Sequence, residues 1–101
     1  MIKLDRPVIV EGKYDKITLE NVIDALIIPT DGFGIFKNPE KTALIRAASR
    51  GKGVIVMTDS DSAGAVIRAY LKKILGDAEI INVYVPELKG KERRKTKYSK
   101  E

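Results

Sequence analysis

The chain has 101 residues, 44% of them hydrophobic, and a net charge of +5, so it is one domain by length with material for a single modest core. It contains neither cysteine nor histidine, which excludes disulfides, thiolate and imidazole metal sites, and thiol catalysis. Any chemistry must therefore use carboxylates, lysines, arginines or hydroxyls. Charged residues interrupt the first ten positions, and no apolar stretch of roughly 18 residues occurs, so the sequence predicts a soluble, cytoplasmic protein that does not enter a membrane.

Positive charge is concentrated near the C-terminus. Residues 87–101 hold seven Lys or Arg side chains against three Glu, and the cations are Lys89, Lys91, Arg93, Arg94, Lys95, Lys97 and Lys100. The rest of the chain is close to neutral. Such a run can bind a polyphosphate by releasing condensed counterions, and it is also typical of a solvated, disordered tail.

Short β-branched apolar runs alternate along the chain with segments of helical period. Continuous apolar runs are typical of strands buried on both faces, whereas apolar spacings of three and four residues are typical of helices. The predicted order is a strand over 7–11, a helix over 15–25, a strand over 26–29, a helix over 39–50, a strand over 54–58, a helix from about 62 to 75, and a strand over 78–85. This βαβαβαβ order predicts an α/β fold in which a four-stranded parallel sheet lies between two layers of helices.

Turn and cap residues support the boundaries of the second helix. Asn38 is placed to cap its N-terminus, and Pro39 suits its first turn. Gly51 and Gly53 follow its C-terminus. Residues 30–38, which precede the helix, contain two glycines and are predicted to form a loop.

Acidic residues follow the predicted strands. Glu11 ends the first strand, and Asp59 and Asp61 follow the third. Binding sites of parallel α/β sheets lie at the carboxyl ends of the strands. If the first and third strands are neighbours, the three carboxylates converge and repel one another unless a divalent cation neutralises them. An all-oxygen ligand set favours Mg²⁺ and phosphate chemistry, while a role of Asp59 and Asp61 as ordinary helix caps remains the alternative.

Two ordered motifs resemble the Toprim domain. The first is Val-Ile-Val-Glu-Gly-Lys-Tyr-Asp over residues 8–15, the second is Thr-Asp-Ser-Asp-Ser-Ala-Gly over residues 58–64, and Asp-Gly-Phe-Gly lies between them at 31–34. The Toprim superfamily comprises primases, topoisomerases, recombination mediators and small ribonucleases. The resemblance covers residues 6–86, and it implies a three-layer α/β/α Toprim fold, which is Rossmann-like, with a catalytic domain over residues 1–86.

The Glu-Gly-Lys-x-Asp form and the basic stretch after Pro86 look most like the N-terminal Toprim domain of the ribonuclease M-five type, which is related to the Toprim domains of primases. This resemblance implies a magnesium-dependent endoribonuclease that hydrolyses phosphodiester bonds in structured RNA, of the type that matures the 5S ribosomal RNA precursor. It implies RNA rather than DNA as partner, a ribosomal protein on that RNA as a further partner, and Mn²⁺ as a substitute for Mg²⁺. Residues 87–101 would be a basic tail or linker towards a further C-terminal region.

The resemblance also implies roles for individual residues. Glu11 would serve as general acid or base and share in metal binding, while Asp59 and Asp61 would bind Mg²⁺. Four residues would support these ligands or contact phosphate through a side chain or the backbone: Lys13, Asp15, Gly32 and Gly64. An ordinary exposed lysine suits Lys13 equally well, and for Gly32 a plain turn role is favoured over substrate contact. The tail residues expected to bind nucleic acid are Lys89, Lys91, Arg93, Arg94, Lys95 and Lys97.

Several alternatives are weighed against this interpretation. Ala63 stands where topoisomerase-type members carry a third acid, which disfavours a topoisomerase. A primase-like nucleotidyl transferase stays open, as does a non-catalytic module that clamps nucleic acid, although Glu11 argues against the latter. Receiver domains need an acidic pair at the first strand and a fifth strand, and haloacid-dehalogenase-like phosphatases usually carry Asp-x-Asp on the first strand. An EF-hand is excluded because Tyr70 stands where a bidentate Glu is required.

Overall fold

A computed structural model of the protein describes residues 1–59 and 62–85, and its main sheet consists of four parallel strands. The strands are β1 (Ile2–Lys3), β2 (Val8–Val10), β3 (Ile23–Asp24), β4 (Ile27–Pro29), β5 (Val54–Asp59) and β6 (Ile80–Val85), and the helices are α1 (Lys13–Glu20), a 3₁₀ helix (Gly32–Lys37), α2 (Pro39–Ser49) and α3 (Ser62–Leu75). The main sheet has the order β4-β2-β5-β6, and β1 pairs with β3 in a separate two-stranded sheet. The predicted α/β fold with a four-stranded parallel sheet is confirmed.

Buried side chains form two clusters, one on each face of the main sheet. On one face, strand residues pack against α2, α3 and the 3₁₀ helix in a cluster made of Ile9, Ile28, Ile35, Ile45, Val54, Val56, Ile67 and Leu71. On the other face, Val8, Val10 and Ile27 pack with Leu19 of α1. Successive residues of a strand point to opposite faces, which is why Ile9 joins one cluster while its neighbours join the other. The helices therefore form a layer on each face.

The helix layer is incomplete over β6. Ile55 and Met57 of β5 are only partly buried, and the strand register places Ile81 and Val83 of β6 beside them. Ile81 is 38% exposed and Val83 is 37% exposed. The prediction that every strand is buried on both faces is wrong for β6, because α1 has only eight residues and packs over β2, β3 and β4.

The first helix is shorter than its apolar period predicts. It ends at Glu20, and the side-chain amide of Asn21 donates to the carbonyl oxygen of Ile17 at 3.2 Å. The predicted helical residues 23–24 instead form β3, because Ile23 pairs with Ile2 across the small sheet. A pairing between distant parts of the chain thus overrides the local helical spacing.

The second helix begins and ends where its cap residues predict. The side-chain oxygen of Asn38 accepts a hydrogen bond from the backbone N–H of Lys41 at 2.9 Å, and Pro39 is the first helical residue. Gly53 follows the helix with a φ of 85°, and its amide donates to the carbonyl of Ser49 at 2.8 Å. The segment before the helix is a 3₁₀ helix rather than the predicted loop.

Within the described residues, no helix combines the length and the apolar character that crossing a bilayer requires.

Candidate functional site at the carboxyl end of the sheet

The strands that carry the predicted acids lie side by side. β2 pairs with β5 in parallel, with Val10 opposite Met57, and β5 continues as far as Asp59. Glu11 follows Val10 directly, so its backbone and that of Asp59 lie at the same edge of two adjacent strands. The expected neighbourhood of the first and third predicted strands is confirmed. The side chain of Asp59 and all of Asp61 lie outside the described residues, so the convergence of their carboxylates remains a prediction.

The backbone of Glu11 is fixed by the turn that follows β4. The carbonyl oxygen of Glu11 accepts one hydrogen bond from the amide of Gly32 at 2.9 Å and another from the hydroxyl of Thr30 at 3.1 Å. Thr30 is fully buried, and its own amide donates to the carbonyl of Val10 at 2.8 Å. Gly32 thus contributes a backbone donor and a left-handed turn with a φ of 61°. Because two donors share one acceptor, the end of β2 is held in a defined position.

Glu11 borders a cavity of about 260 Å³ on the α1 face of the sheet. The lining residues are Val10, Glu11, Asp15, Thr18, Leu19, Met57 and Thr58. The cavity exists because α1 is short and leaves the upper part of β5 uncovered on this face. The lining combines apolar residues with the acidic Glu11 and Asp15, so acidic residues of the chain lie next to space that a substrate can occupy.

Asp15 and Lys13 lie at the start of α1, close to Glu11 in the chain. The carboxylate of Asp15 accepts a hydrogen bond from the amide of Gly12 at 3.0 Å, which satisfies one of the free donors at the helix N-terminus. Asp15 also lines the cavity beside Glu11. The ammonium of Lys13 lies 5.6 Å from the centre of the Tyr14 ring, on the exposed surface. Asp15 is therefore a helix cap within reach of the cavity, and Lys13 is an exposed cation near it.

The sequence did not single out Arg68, which the fold brings to the end of β5. Its guanidinium donates to the hydroxyl of Thr58, the residue before Asp59, and lies 4.4 Å from the centre of the Tyr84 ring. Thr58 is 2% exposed, so this hydrogen bond is largely shielded from water. The helical period alone would have indicated that Arg68 shares a face of α3 with buried Gly64, four residues earlier, but the partner on β5 follows only from the fold.

The acidic residues at this edge suit a hard divalent cation. Carboxylate oxygens are the ligands that Mg²⁺ and Mn²⁺ prefer, and the chain has neither a cysteine thiolate nor an imidazole to favour a softer metal. Among the side chains that the structure describes, no three acidic groups lie close enough together to hold an ion. A set of three acidic ligands would need the side chains of Asp59 and Asp61 beside that of Glu11. The basic residues 89–97 of the tail also lie outside the described part.

A larger cavity, of about 630 Å³, lies at the opposite, amino-terminal edge of the sheet. Its lining includes the basic residues Arg6, Arg46, Arg50 and Lys52. The Nε of Arg46 donates to the carbonyl of Ile74 at 3.0 Å, and Arg6 pairs with Glu79 at 2.9 Å. These two arginines bind residues at the end of α3 and just before β6, so they have a structural role at the edge of the sheet opposite Glu11.

Comparison with known proteins agrees with the motifs and with the fold. The family model of the Toprim domain matches residues 6–88. A protein named ribonuclease M5 from Fusobacterium nucleatum is 34% identical over 88 residues, which are 87% of this chain and 46% of that protein. A second protein of that name, from Borreliella burgdorferi, is 36% identical over 77 residues, which are 76% of this chain and 41% of that protein. The chain spans less than half the length of these relatives. Because the family model covers most of the chain, including both acidic motifs, the chain belongs to the Toprim domain family.

Proposed function

We propose that the chain is the catalytic part of a magnesium-dependent endoribonuclease that hydrolyses phosphodiester bonds in structured RNA. The observation that carries the proposal is the parallel register of β2 and β5, which brings the backbone of Glu11 and that of Asp59 to adjacent strand ends. The relatives named ribonuclease M5 support RNA over DNA as substrate. We infer a substrate of the 5S ribosomal RNA precursor type, a ribosomal protein on that RNA as a further partner, and action in the cytoplasm.

Glu11, Asp59 and Asp61 would hold the metal ion. Mg²⁺ is the proposed ion, with Mn²⁺ able to replace it, because both accept hard oxygen ligands. When bound, the ion would stabilise the negative charge that develops on the phosphate oxygens. Few protein ligands would leave room for phosphate oxygens in the ion's coordination shell, so we expect weak binding in the absence of phosphate.

Glu11 is the residue proposed to move the proton. A carboxylate next to the scissile phosphate can accept a proton from the attacking water or return one to the leaving oxygen. The hydrogen bonds from Thr30 and Gly32 to its carbonyl would limit the motion of this residue during the reaction. Asp15 would support the same edge, and Lys13 would contact phosphate from the start of α1. Gly64, which is buried at the start of α3, would let the backbone approach the substrate closely.

The cations of the tail, Lys89, Lys91, Arg93, Arg94, Lys95 and Lys97, are proposed to bind the RNA backbone. Their contribution should appear as salt dependence, because each phosphate neutralised on a duplex lowers the logarithm of the affinity by about 0.9 per logarithmic unit of salt. Replacing the six cations by Gln should flatten the salt slope while turnover at saturating RNA changes little. A salt series on both proteins tests this, and an unchanged slope would show that the tail does not contact phosphate.

The proposed activity is tested by incubating the protein with structured RNA and with DNA, each with Mg²⁺ and with EDTA. We expect cleavage of RNA that requires the metal and falls by roughly 100-fold or more in Glu11→Gln, since proton transfer contributes about that factor. Glu20→Gln, which alters an exposed glutamate at the far end of α1, is the matched control and should cleave normally. Metal-dependent binding without cleavage would instead support a clamp, and strand synthesis from nucleotides would support a primase-like role.

A further inference from the structure

Both phenylalanines of the chain lie on the surface, next to each other. Phe33 and Phe36 are the only two in the sequence, and they are 55% and 40% exposed. Their ring centres are 5.6 Å apart with an angle of 15° between the ring planes, so the rings are stacked. Neither belongs to a buried cluster of the described structure. The two apolar rings are therefore partly exposed to water rather than buried in the core.

The 3₁₀ helix explains why the two rings meet. Side chains three residues apart eclipse each other in a 3₁₀ helix, which aligns Phe33 with Phe36. Ile35, between them, points inward and is 1% exposed, so it fixes the helix to the core. The left-handed conformations of Asp31 and Gly32, each with a φ of 61°, turn the chain from β4 into this helix. The pair is thus a product of local geometry.

Packing against α3 holds the aromatic pair in place. Phe36 meets Tyr70 of α3 edge to face, with ring centres 4.8 Å apart and an interplanar angle of 76°. The hydroxyl of Tyr70 forms a hydrogen bond of 3.3 Å with the hydroxyl of Thr42, a residue of α2 that is 8% exposed. Two helices therefore support the second ring, and the pair offers a rigid apolar surface that a ligand need not order on binding.

The pair is also close to the proposed catalytic residue. Phe33 follows Gly32, whose amide donates to the carbonyl of Glu11 at 2.9 Å. Standard backbone dimensions then limit the distance between the Cα atoms of Glu11 and Phe33 to about 10 Å. A few nucleotides of a strand can span such a distance. The exposed cation Lys37 follows Phe36 directly and could meet the phosphate of a nucleotide bound there.

We propose that Phe33 and Phe36 form a stacking platform for an unpaired nucleobase of the RNA, next to the bond that is cleaved. Unpaired RNA bases are recognised mainly by stacking on aromatic side chains, with a neighbouring cation on the phosphate. The inference rests on the proposed function in that it takes RNA as the substrate. It adds that the substrate carries an unpaired nucleotide near the cleavage point. The base of this nucleotide stacks on the aromatic pair and so lies apart from the paired region of the RNA.

The test compares Phe33→Leu and Phe33→Trp with Leu44→Ala, which alters an exposed apolar residue of α2 as the matched control. The probes are a hairpin RNA with 2-aminopurine at an unpaired position and the fully paired duplex of the same sequence. Wild type should quench the fluorophore in the hairpin. Phe33→Leu should lose the quenching and weaken binding to the hairpin by about 5- to 150-fold, the range of one base-stacking contact, whereas Phe33→Trp and Leu44→Ala should keep both.

Binding to the paired duplex should be the same in all four proteins, and the salt slope should not change in Phe33→Leu because no phosphate contact is removed. If RNA is cleaved but Phe33→Leu binds and quenches the hairpin as wild type does, the platform is refuted while the proposed function stands. If wild type neither binds nor cleaves RNA, the proposed function itself fails. Loss of self-association in Phe33→Leu, with RNA binding intact, would show that the rings bind a protein instead.

Discussion

The two faces of the main sheet are built differently. On the face of α2 and α3, Ile9, Val54 and Leu71 are fully buried, and a helix of 14 residues covers the strands. On the other face, α1 has only eight residues, and none of them is buried. The apolar side chains of β5 and β6 on this face remain partly exposed. The cavity beside Glu11 lies on the open face. The difference shows that one face supplies most of the packing, while the other leaves room for a substrate.

Shortening Leu71 to Ala should have the largest effect on stability. Leu71 has no exposed surface, so the substitution should lower the free energy of unfolding by about 2–5 kcal/mol through lost burial and a residual cavity. Leu19→Ala, on the open face, removes the same atoms from a partly buried position and should cost about 1 kcal/mol. Urea denaturation followed by circular dichroism measures both. Equal costs would contradict the distinction between the two faces.

Gly53→Ala should lower the stability nearly as much as Leu71→Ala, because Gly53 closely approaches the residue before β6. A Cβ at this residue would lie 2.5 Å from the carbonyl oxygen of Glu79, just before β6, and the φ of 85° disfavours a side chain as well. Gly51→Ala is the matched control, because its φ of 77° is similar but nothing lies within 4 Å of the added carbon. We expect about 1–2 kcal/mol for Gly51→Ala, from the left-handed conformation alone, and a clearly larger loss for Gly53→Ala. Similar losses would show that β6 does not depend on this close approach.

Thr30→Val should have a small effect on stability and a larger one on activity. The substitution keeps the shape of a fully buried side chain but removes the hydrogen bond to the carbonyl of Glu11, at a cost of about 1 kcal/mol. If this bond positions Glu11, kcat should fall while KM for RNA stays the same. Ser49→Ala removes a comparable buried hydrogen bond, to the carbonyl of Arg46, and should lower stability without lowering kcat. If kcat falls by the same factor in Thr30→Val and Ser49→Ala, the cause is a general loss of structure rather than the position of Glu11.

The main sheet was predictable because its central strands are continuous β-branched runs that fit a buried parallel strand and little else. The end of α1 was not, since Val22 and Ile23 fit a helical period as well as they fit a strand, and only pairing with β1, some twenty residues away, decides between them. The adjacent positions of the Glu11 and Asp59 backbones could be predicted because both residues come at the ends of apolar strand runs, whereas the convergence of the carboxylates stays a prediction. The contact of Arg68 with Thr58 could not, because it joins α3 to β5 through their packing.

Metal binding at the carboxyl edge of β2 and β5 is the central claim, and titration with Mn²⁺ followed by electron paramagnetic resonance tests it most directly. The titration uses wild type, Asp59→Asn, Asp61→Asn and the control Glu20→Gln, each with and without inorganic phosphate. We expect saturable binding in wild type and Glu20→Gln that phosphate strengthens and Mg²⁺ competes away, and at least roughly tenfold weaker binding in both aspartate variants. The same affinity in all four proteins would contradict the account, because the ion would then lie elsewhere.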